Sequence, residues 1–206
     1  MRTIHHQQQL YPQSVQEQEA IVAEILAGSA SNTLIFTEHP PTYTLGTSAQ
    51  ESDVLMREIN GESIAVYHTG RGGEVTYHGP GQLICYALID IQSEKDLHRH
   101  VQRLESLIID TLKDFDIEGV RDARGIGVWV DGLKIAAVGV RCRKWVTFHG
   151  ISLNISPNLQ HFSGIVPCGM RDAPVTSMHQ LGIKATRKEV EKRMIHHAAI
   201  LFGSEL

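Results

Sequence analysis

The stretch Ile126-Gly127-Val128-Trp129-Val130-Asp131-Gly132-Leu133-Lys134-Ile135-Ala136-Ala137-Val138-Gly139-Val140-Arg141 decides how this chain folds. Two apolar, β-branched runs flank Asp131-Gly132, the dipeptide suited to the two consecutive positive-φ positions of a tight hairpin turn. The reading is an antiparallel pair, Ile126–Val130 and Leu133–Arg141. A third strand, Trp145–Ile155, follows as a meander, with Arg141-Cys142-Arg143-Lys144 as the tip. One residue interrupts the apolar pattern. Lys134 comes just after the turn, and a lysine entering a buried strand is costly unless it has a partner or a task.

Further strands are expected at Thr33–Glu38, Thr42–Leu45, Ile64–His68 and Gln82–Asp90, short runs rich in β-branched and aromatic residues. The last is almost continuously apolar and should be buried on both faces. Three helices surround them. Ser14 to Ala27 opens on the capping-box pattern Ser14-Val15-Gln16-Glu17 and stops at Gly28. Asp96 to Phe115 carries Leu97, Val101, Leu104, Ile108, Leu112 and Phe115 at three- and four-residue spacing. Thr186-Arg187-Lys188-Glu189 caps a C-terminal helix with Val190, Met194, Ala198 and Leu201 inward. The fold class is α+β, a mixed or antiparallel sheet covered by a few helices.

With 206 residues, 42% of them hydrophobic, the chain reads as a single domain over 1–206 with a sizeable core. A net charge of −4 argues against a general nucleic-acid binder. No apolar run approaches the ~20 residues of a membrane span, and the N-terminus has no signal core. Three cysteines without C-x-x-C spacing exclude a disulfide scaffold and a cysteine-based zinc site. None of the twelve histidines falls in a tight ligand pattern, so no metal is expected. The chain reads as cytoplasmic and reduced.

Two segments carry chemistry. Thr69 to Gln82 contains Gly70, Gly72, Gly73, Gly79, Gly81 and Pro80 between two strands. Such a loop lets backbone N–H groups approach a ligand closely, or merely solves a turning problem. It is neither a Walker A loop nor a helix-opening dinucleotide motif. In Pro167-Cys168-Gly169-Met170 the thiol stands in a turn where it can be presented. It becomes a nucleophile when a nearby base or cation promotes the thiolate. Cys85, inside an apolar strand, reads as a small core residue, and Cys142 as incidental. Lys134 taken alone reads equally well as a strand-end lysine whose stem is buried and whose head reaches water.

Arg71-Gly72-Gly73-Glu74-Val75-Thr76-Tyr77-His78-Gly79-Pro80-Gly81-Gln82 resembles the signature of the lipoyl(octanoyl) transferase family. Four other blocks agree in order: Glu38 to Gly46, Gly132 to Gly139, His149 to Asn154, and Pro167 to Met170. The resemblance spans roughly Tyr11 to Met178. It implies an α+β fold similar to biotin protein ligases and lipoate ligases, with a central mixed sheet and a smaller second sheet. It also implies transfer of an octanoyl or lipoyl group from acyl carrier protein to a lysine of lipoyl domains or of the glycine cleavage H protein, without a cofactor. Cys168 would be the acyl-thioester nucleophile and Lys134 its proton-transferring partner. Arg71, Gly72, Gly73, Glu74, Val75, Thr76, Tyr77 and His78 would line the acyl pocket with Ala137, Val138, Gly139, Gly150, Ile151 and Ser152. His78 and His149 are read as supporting groups, not bases. Nothing suggests nucleic-acid or membrane partners, and the chain is expected to be a monomer. Arg141, Arg143 and Lys144 form a cationic cluster suited to an acidic carrier protein, or an ordinary solvated turn. Three other activities fit the same residues: an ATP-dependent ligase, a thioesterase, and a non-catalytic acyl-binding module.

Overall fold

The structure is a computed structural model that describes residues 1–166 and 174–203. In chain order the elements are β1 (Arg2–His5), α1 (Tyr11–Leu26), β2 (Thr33–Thr37), β3 (Thr42–Leu45), β4 (Glu58–Ile59), β5 (Glu62–Ser63), β6 (Ala65–His68), β7 (Val75–His78) and β8 (Gln82–Leu88). There follow α2 (Leu97–Lys113), β9 (Val120–Asp122), β10 (Gly125–Val130), β11 (Leu133–Arg143), β12 (Val146–Asn154) and α3 (Arg187–Phe202). A seven-stranded sheet runs β1-β2-β8-β12-β11-β10-β9, and a three-stranded sheet runs β6-β3-β7. Both are mixed, because β1 pairs with β2 and β3 with β6 in parallel while their other neighbours are antiparallel. The expected central mixed sheet with a smaller companion is what the chain forms.

The hairpin forms as its turn dictates. Asp131 (φ 49°) and Gly132 (φ 78°) are both left-handed, and Val130 pairs with Leu133 across them. The next turn lies further along than the sequence suggests. β11 runs on to Arg143, and Lys144 (φ 50°) and Trp145 (φ 66°) make the corner. Nothing in their composition announces a positive-φ turn. Trp145 adopts it while packing against the main core.

Strand alternation divides β8 between two cores. Leu83, Cys85 and Ala87 face the cluster that includes Leu104, Leu107 and Ile108 of α2 and Val190, Met194 and Ala198 of α3. Ile84, Tyr86 and Leu88 face Ile21, Val22 and Ile25 of α1. The strand is thus buried on both faces, and Cys85 is a core residue as read. Thr186 caps α3 through the reciprocal bonds of a capping box with Glu189. At α1 the expected capping box is not used. The helix starts at Tyr11 with Pro12 in its first turn, where a missing N–H costs nothing. The Ser14 hydroxyl instead donates to Gln9 Oε1 (2.5 Å) inside the fold. β7 was hidden in the glycine-rich segment, and β1, β4, β5 and β9 are too short for their periodicity to register.

Candidate active site

A cavity of about 480 Å³ takes its walls from both sheets and from α1 and α2. Lys134 lines it, with Arg71, Gly72, Gly73, Glu74, Val75, Thr76, His78, Ala137, Val138, Gly139, Gly150, Ile151 and Ser152. The volume lies in the range of ordinary ligand pockets, roughly 300–1,000 Å³. Cys168 lies outside the described residues. Tyr77 is the correction. It is fully buried on the other face of β7, since successive strand side chains alternate, and its hydroxyl meets His161 Nδ1 at 2.7 Å. Its ring packs edge-on against Tyr43 and Phe162 rather than bordering the cavity.

Lys134 stands at one end. The two-residue turn pairs it with Trp129, and its Nζ lies 5.4 Å from the centre of the fully buried indole ring. Immediately after it the register shifts: Trp129 opposes Lys134 but Val128 opposes Ala136, so Ile135 is an extra residue in β11. Such a bulge bends a strand and re-aims the neighbouring side chains. The Lys134 backbone is also engaged from outside the sheet. Its N–H donates to Pro174 O (2.8 Å), and its carbonyl accepts from Thr176 N (3.0 Å).

The opposite end lies along β11 near Gly139, which pairs with Gly150, itself paired with Tyr86. Five residues of strand put that row about 16 Å from Lys134, less what the bulge absorbs. Arg71 is buried there and clamps the glycine-rich loop by donating to backbone carbonyls: Nη2 to Thr44 (2.7 Å) and Glu74 (2.8 Å), Nη1 to Gly72 (3.0 Å). The loop is further stitched to β11 by Gly72 N–H and Val140 O at 2.9 Å.

Three buried histidines surround this end, and all are held neutral. His78 pairs through Nδ1 with Gln82 Oε1 (2.8 Å) and through Nε2 with the Thr44 hydroxyl (3.2 Å). The Gln82 amide nitrogen is committed to Tyr77 O and Asn154 Oδ1, so His78 donates from Nδ1. Burial, then the neighbouring His39, lowers its pKa to about 3. His39 donates to Gln9 O (2.7 Å) and receives the Tyr86 hydroxyl (2.6 Å), and burial lowers its pKa to about 4. His149, also lowered to about 4 by burial and then by Arg71, sits in β12 with φ 60°. Its N–H leaves the sheet ladder for Gln18 Oε1 of α1 (2.8 Å). Each ring is therefore in its neutral form at neutral pH.

Sequence reasoning missed Tyr11, Tyr86, Arg124 and Trp129, all lining the cavity. For Trp129 the signal was present, because a two-residue turn at Asp131-Gly132 dictates that 129 faces 134. For Tyr11 there was none, since its place depends on how α1 docks. Cys142 is partly exposed, and burial raises its thiol pKa, which fits an incidental role. Among the described residues no three His, Cys, Asp or Glu side chains converge in an arrangement that would hold a metal. No helix among them is long and apolar enough to cross a membrane.

Residues 11–199 match the family model described as the lipoyl protein ligase A/B catalytic domain. The octanoyltransferase of Parvibaculum lavamentivorans is 47% identical over 202 residues, covering 94% of this chain and 88% of its own. Among solved structures, the putative lipoate protein ligase Ta0514 of Thermoplasma acidophilum superposes with a TM-score of 0.75 at 13% identity, covering 98% of this chain and 85% of that one. Biotin protein ligase of Aquifex aeolicus, in complex with biotin and ATP, gives 0.62 at 14% identity, covering 98% and 70%. At these identities the structural likeness speaks for the fold.

Proposed function

This chain belongs to the lipoyl protein ligase A/B catalytic-domain family, and from that premise we propose that it works through an acyl-Cys168 thioester with Lys134 as the proton carrier. Its activity is octanoyl transfer in protein lipoylation, the activity for which relatives 42–47% identical are named. The observation that carries the mechanistic reading is Lys134, half-buried at one end of a cavity that also runs past the apolar side chains Val101, Ile126, Ala136, Val138 and Ile151.

The donor is octanoyl-acyl carrier protein. The Cys168 thiolate attacks the thioester carbonyl, the carbon–sulfur bond to the carrier breaks, and its thiol leaves with a proton from the Lys134 ammonium. One thioester replaces another, so no ATP is needed. A lysine amine of the acceptor then attacks acyl-Cys168. Lys134 takes the proton that this amine sheds, the amide forms, and the Cys168 sulfur departs as thiolate. Splitting one difficult transfer into two is the usual logic of covalent catalysis.

The slot suits the chain it would hold. Seven carbon–carbon bonds of about 1.5 Å, staggered and extended, span about 9 Å. Added to the reach of the Lys134 side chain, that length fits the run of β11 from Lys134 to Gly139. Burying roughly six methylenes contributes about 5 kcal/mol before ordering costs. Lipoyl domains and the H protein are the acceptors in this reading. The chain acts as one catalytic domain over residues 1–206, as a cytoplasmic monomer. Arg141, Arg143 and Lys144, all exposed at the end of β11, serve as the carrier's docking rim.

Intact-protein mass spectrometry after incubation with octanoyl-acyl carrier protein tests the mechanism. The expected result is one added octanoyl group, removed by neutral hydroxylamine and lost in Cys168→Ala. An adduct that survives in the alanine variant would refute the assignment of Cys168, and a requirement for ATP would turn the reading toward a ligase.

A further inference from the structure

We infer that Trp129 and Glu105 are positioning residues for Lys134: the indole and the Gly127 backbone, which Glu105 holds in place, form a slot that fixes where its amine points. This rests on the reading of Lys134 as proton carrier. The first wall is the indole. Trp129 is fully buried, faces Lys134 across the hairpin, and presents its ring 5.4 Å from Nζ. The ring is itself fixed. Its Nε1–H donates to Gly125 O (3.3 Å), and the Arg124 guanidinium lies 4.3 Å from the ring centre. Arg124 is tied in turn by Asp122, at 2.8 Å from Nε and 2.7 Å from Nη2, and it donates to Gly132 O at 3.0 Å. The carboxylate of Asp122 offsets the guanidinium charge, so Arg124 acts on the ring mainly by contact. A cation on the face of an indole is attracted by the ring quadrupole, with a strength that rises as water is excluded.

The second wall is Gly127. A side-chain carbon there would come within 2.7 Å of Lys134 Cε and would overlap Ala136 O, so the backbone of β10 lies directly against the lysine stem. Its φ of 135° is open to glycine and strained for other residues. The pairing of β10 slips on both sides of this point, toward β9 between Gly125 and Trp129 and toward β11 between Val128 and Trp129. The Gly127 N–H is therefore satisfied from α2. The Glu105 carboxylate, nearly buried, accepts it at 2.9 Å and holds Arg121 Nε at 2.8 Å. A carboxylate bonded to a backbone N–H in a buried setting is a strong tie. Without it that N–H would be orphaned and the slipped segment free to re-pair. Among the described residues, the charged groups near this hairpin include Asp122 of β9, Arg124 in the turn between β9 and β10, and Glu105 of α2 with its partner Arg121.

The placement has a chemical purpose. Proton transfer demands that donor and acceptor stay within hydrogen-bond reach through both half-reactions. A lysine has four rotatable side-chain bonds, so its amine holds one place only if its stem is confined. The Gly127 backbone lies against its stem and the Trp129 indole near its amine, and both belong to β10.

The test reads Lys134 directly, without turnover. Competitive labelling with acetic anhydride across a pH series, followed by peptide mass spectrometry, gives the midpoint at which the amine becomes reactive. In Trp129→Leu the midpoint should fall by about half to one and a half pH units, because the ring favours the ammonium, while Trp129→Phe should keep most of it. Octanoyl transfer by Trp129→Leu should lose about thirty-fold in kcat with KM within two-fold. Glu105→Ala should lose about ten-fold, and Glu105→Gln, which still accepts the Gly127 N–H, should restore it to within three-fold. Lower kcat with an unmoved labelling midpoint in Trp129→Leu, or no rescue by glutamine, would overturn the inference. Full activity in Lys134→Met would refute the proton-carrier reading instead, and the labelling midpoints would still decide whether the slot places the amine.

Discussion

At one end of the cavity Lys134 is held by its own hairpin. Trp129 is its cross-strand partner, and Gly127 lies two residues further along the same strand. At the other end Tyr11 of α1, His39 before β3, His78 of β7, Tyr86 of β8 and His149 of β12 meet only when both sheets and a helix have docked. The first end is local and holds Lys134. The second is non-local, and its three histidines are kept neutral by burial. Chemistry should therefore be lost at the Lys134 end without loss of fold, and fold should be lost at the histidine end before chemistry is addressed.

The largest effect expected is on turnover. Lys134→Met should reduce kcat for octanoyl transfer by about a thousand-fold, within the range general acid–base groups supply, with the melting temperature little changed. His78→Asn should reduce kcat by less than ten-fold while lowering the melting temperature. Parallel kinetics and melting curves for the two variants would break the comparison if the losses came out reversed.

Next comes pH. The folded-state pKa values of His39, His78 and His149 are lowered to about 4, 3 and 4 from an ordinary 6.5. Between those values and 6.5 the unfolded chain binds protons that the folded chain refuses, so stability rises with pH through that window. Their contribution is fully present above pH 6.5 and is lost as pH falls toward 4. Each histidine gives a slope of about 1.4 kcal/mol per pH unit, so the three together approach about 4. Urea unfolding at pH 7, 6 and 5 should show stability falling steeply below pH 6, and His78→Asn should flatten the fall by about one proton. A decline no steeper than one histidine provides would mean the other rings are not held neutral together.

The same contrast explains what could be read from the sequence. The hairpin, its partner strand and the lysine were legible because Asp131-Gly132 fixes a register and register fixes faces. The sequence marked Arg71–Thr76 either as a ligand loop or as a mere turn, and the structure sets it along the cavity. Tyr77 was not legible, since a side-chain direction needs the strand and its phase, and β7 was concealed by the glycines around it. The slipped pairing at Gly127 and the reach of Glu105 from α2 have no local signature. Neither does His149 at φ 60°, whose strain is sustained by a glutamine 131 positions earlier.

A smaller effect sharpens the account of the slot. Gly139 lies at the histidine end, where an added methyl would stand 3.1 Å from Arg71 Cδ and 3.3 Å from Gly72 O. Arg71 is clamped, so the methyl narrows the cavity there. Gly139→Ala should lower kcat/KM for an octanoyl donor by about ten-fold and for a butanoyl donor by less than two-fold, the scale set by one methylene in an apolar pocket. Equal losses for both donors would place the far end of the acyl chain elsewhere.

The least effect on activity is expected from Tyr77→Phe, which separates lining from support. The hydroxyl is buried and bonded to His161 Nδ1, while His161 Nε2 meets Glu62 at 3.1 Å and its carbonyl accepts from Tyr43 at 2.5 Å. Removing it leaves a buried ring nitrogen without its partner, which costs about 1–3 kcal/mol of stability. The phenyl ring keeps its edge contacts with Tyr43 and Phe162, so the shape of the neighbouring packing survives. Since the side chain points away from the cavity, KM for the octanoyl donor should stay within about two-fold while the urea midpoint falls. A raised KM with unchanged stability would return Tyr77 to the acyl pocket and reverse the face assigned to β7.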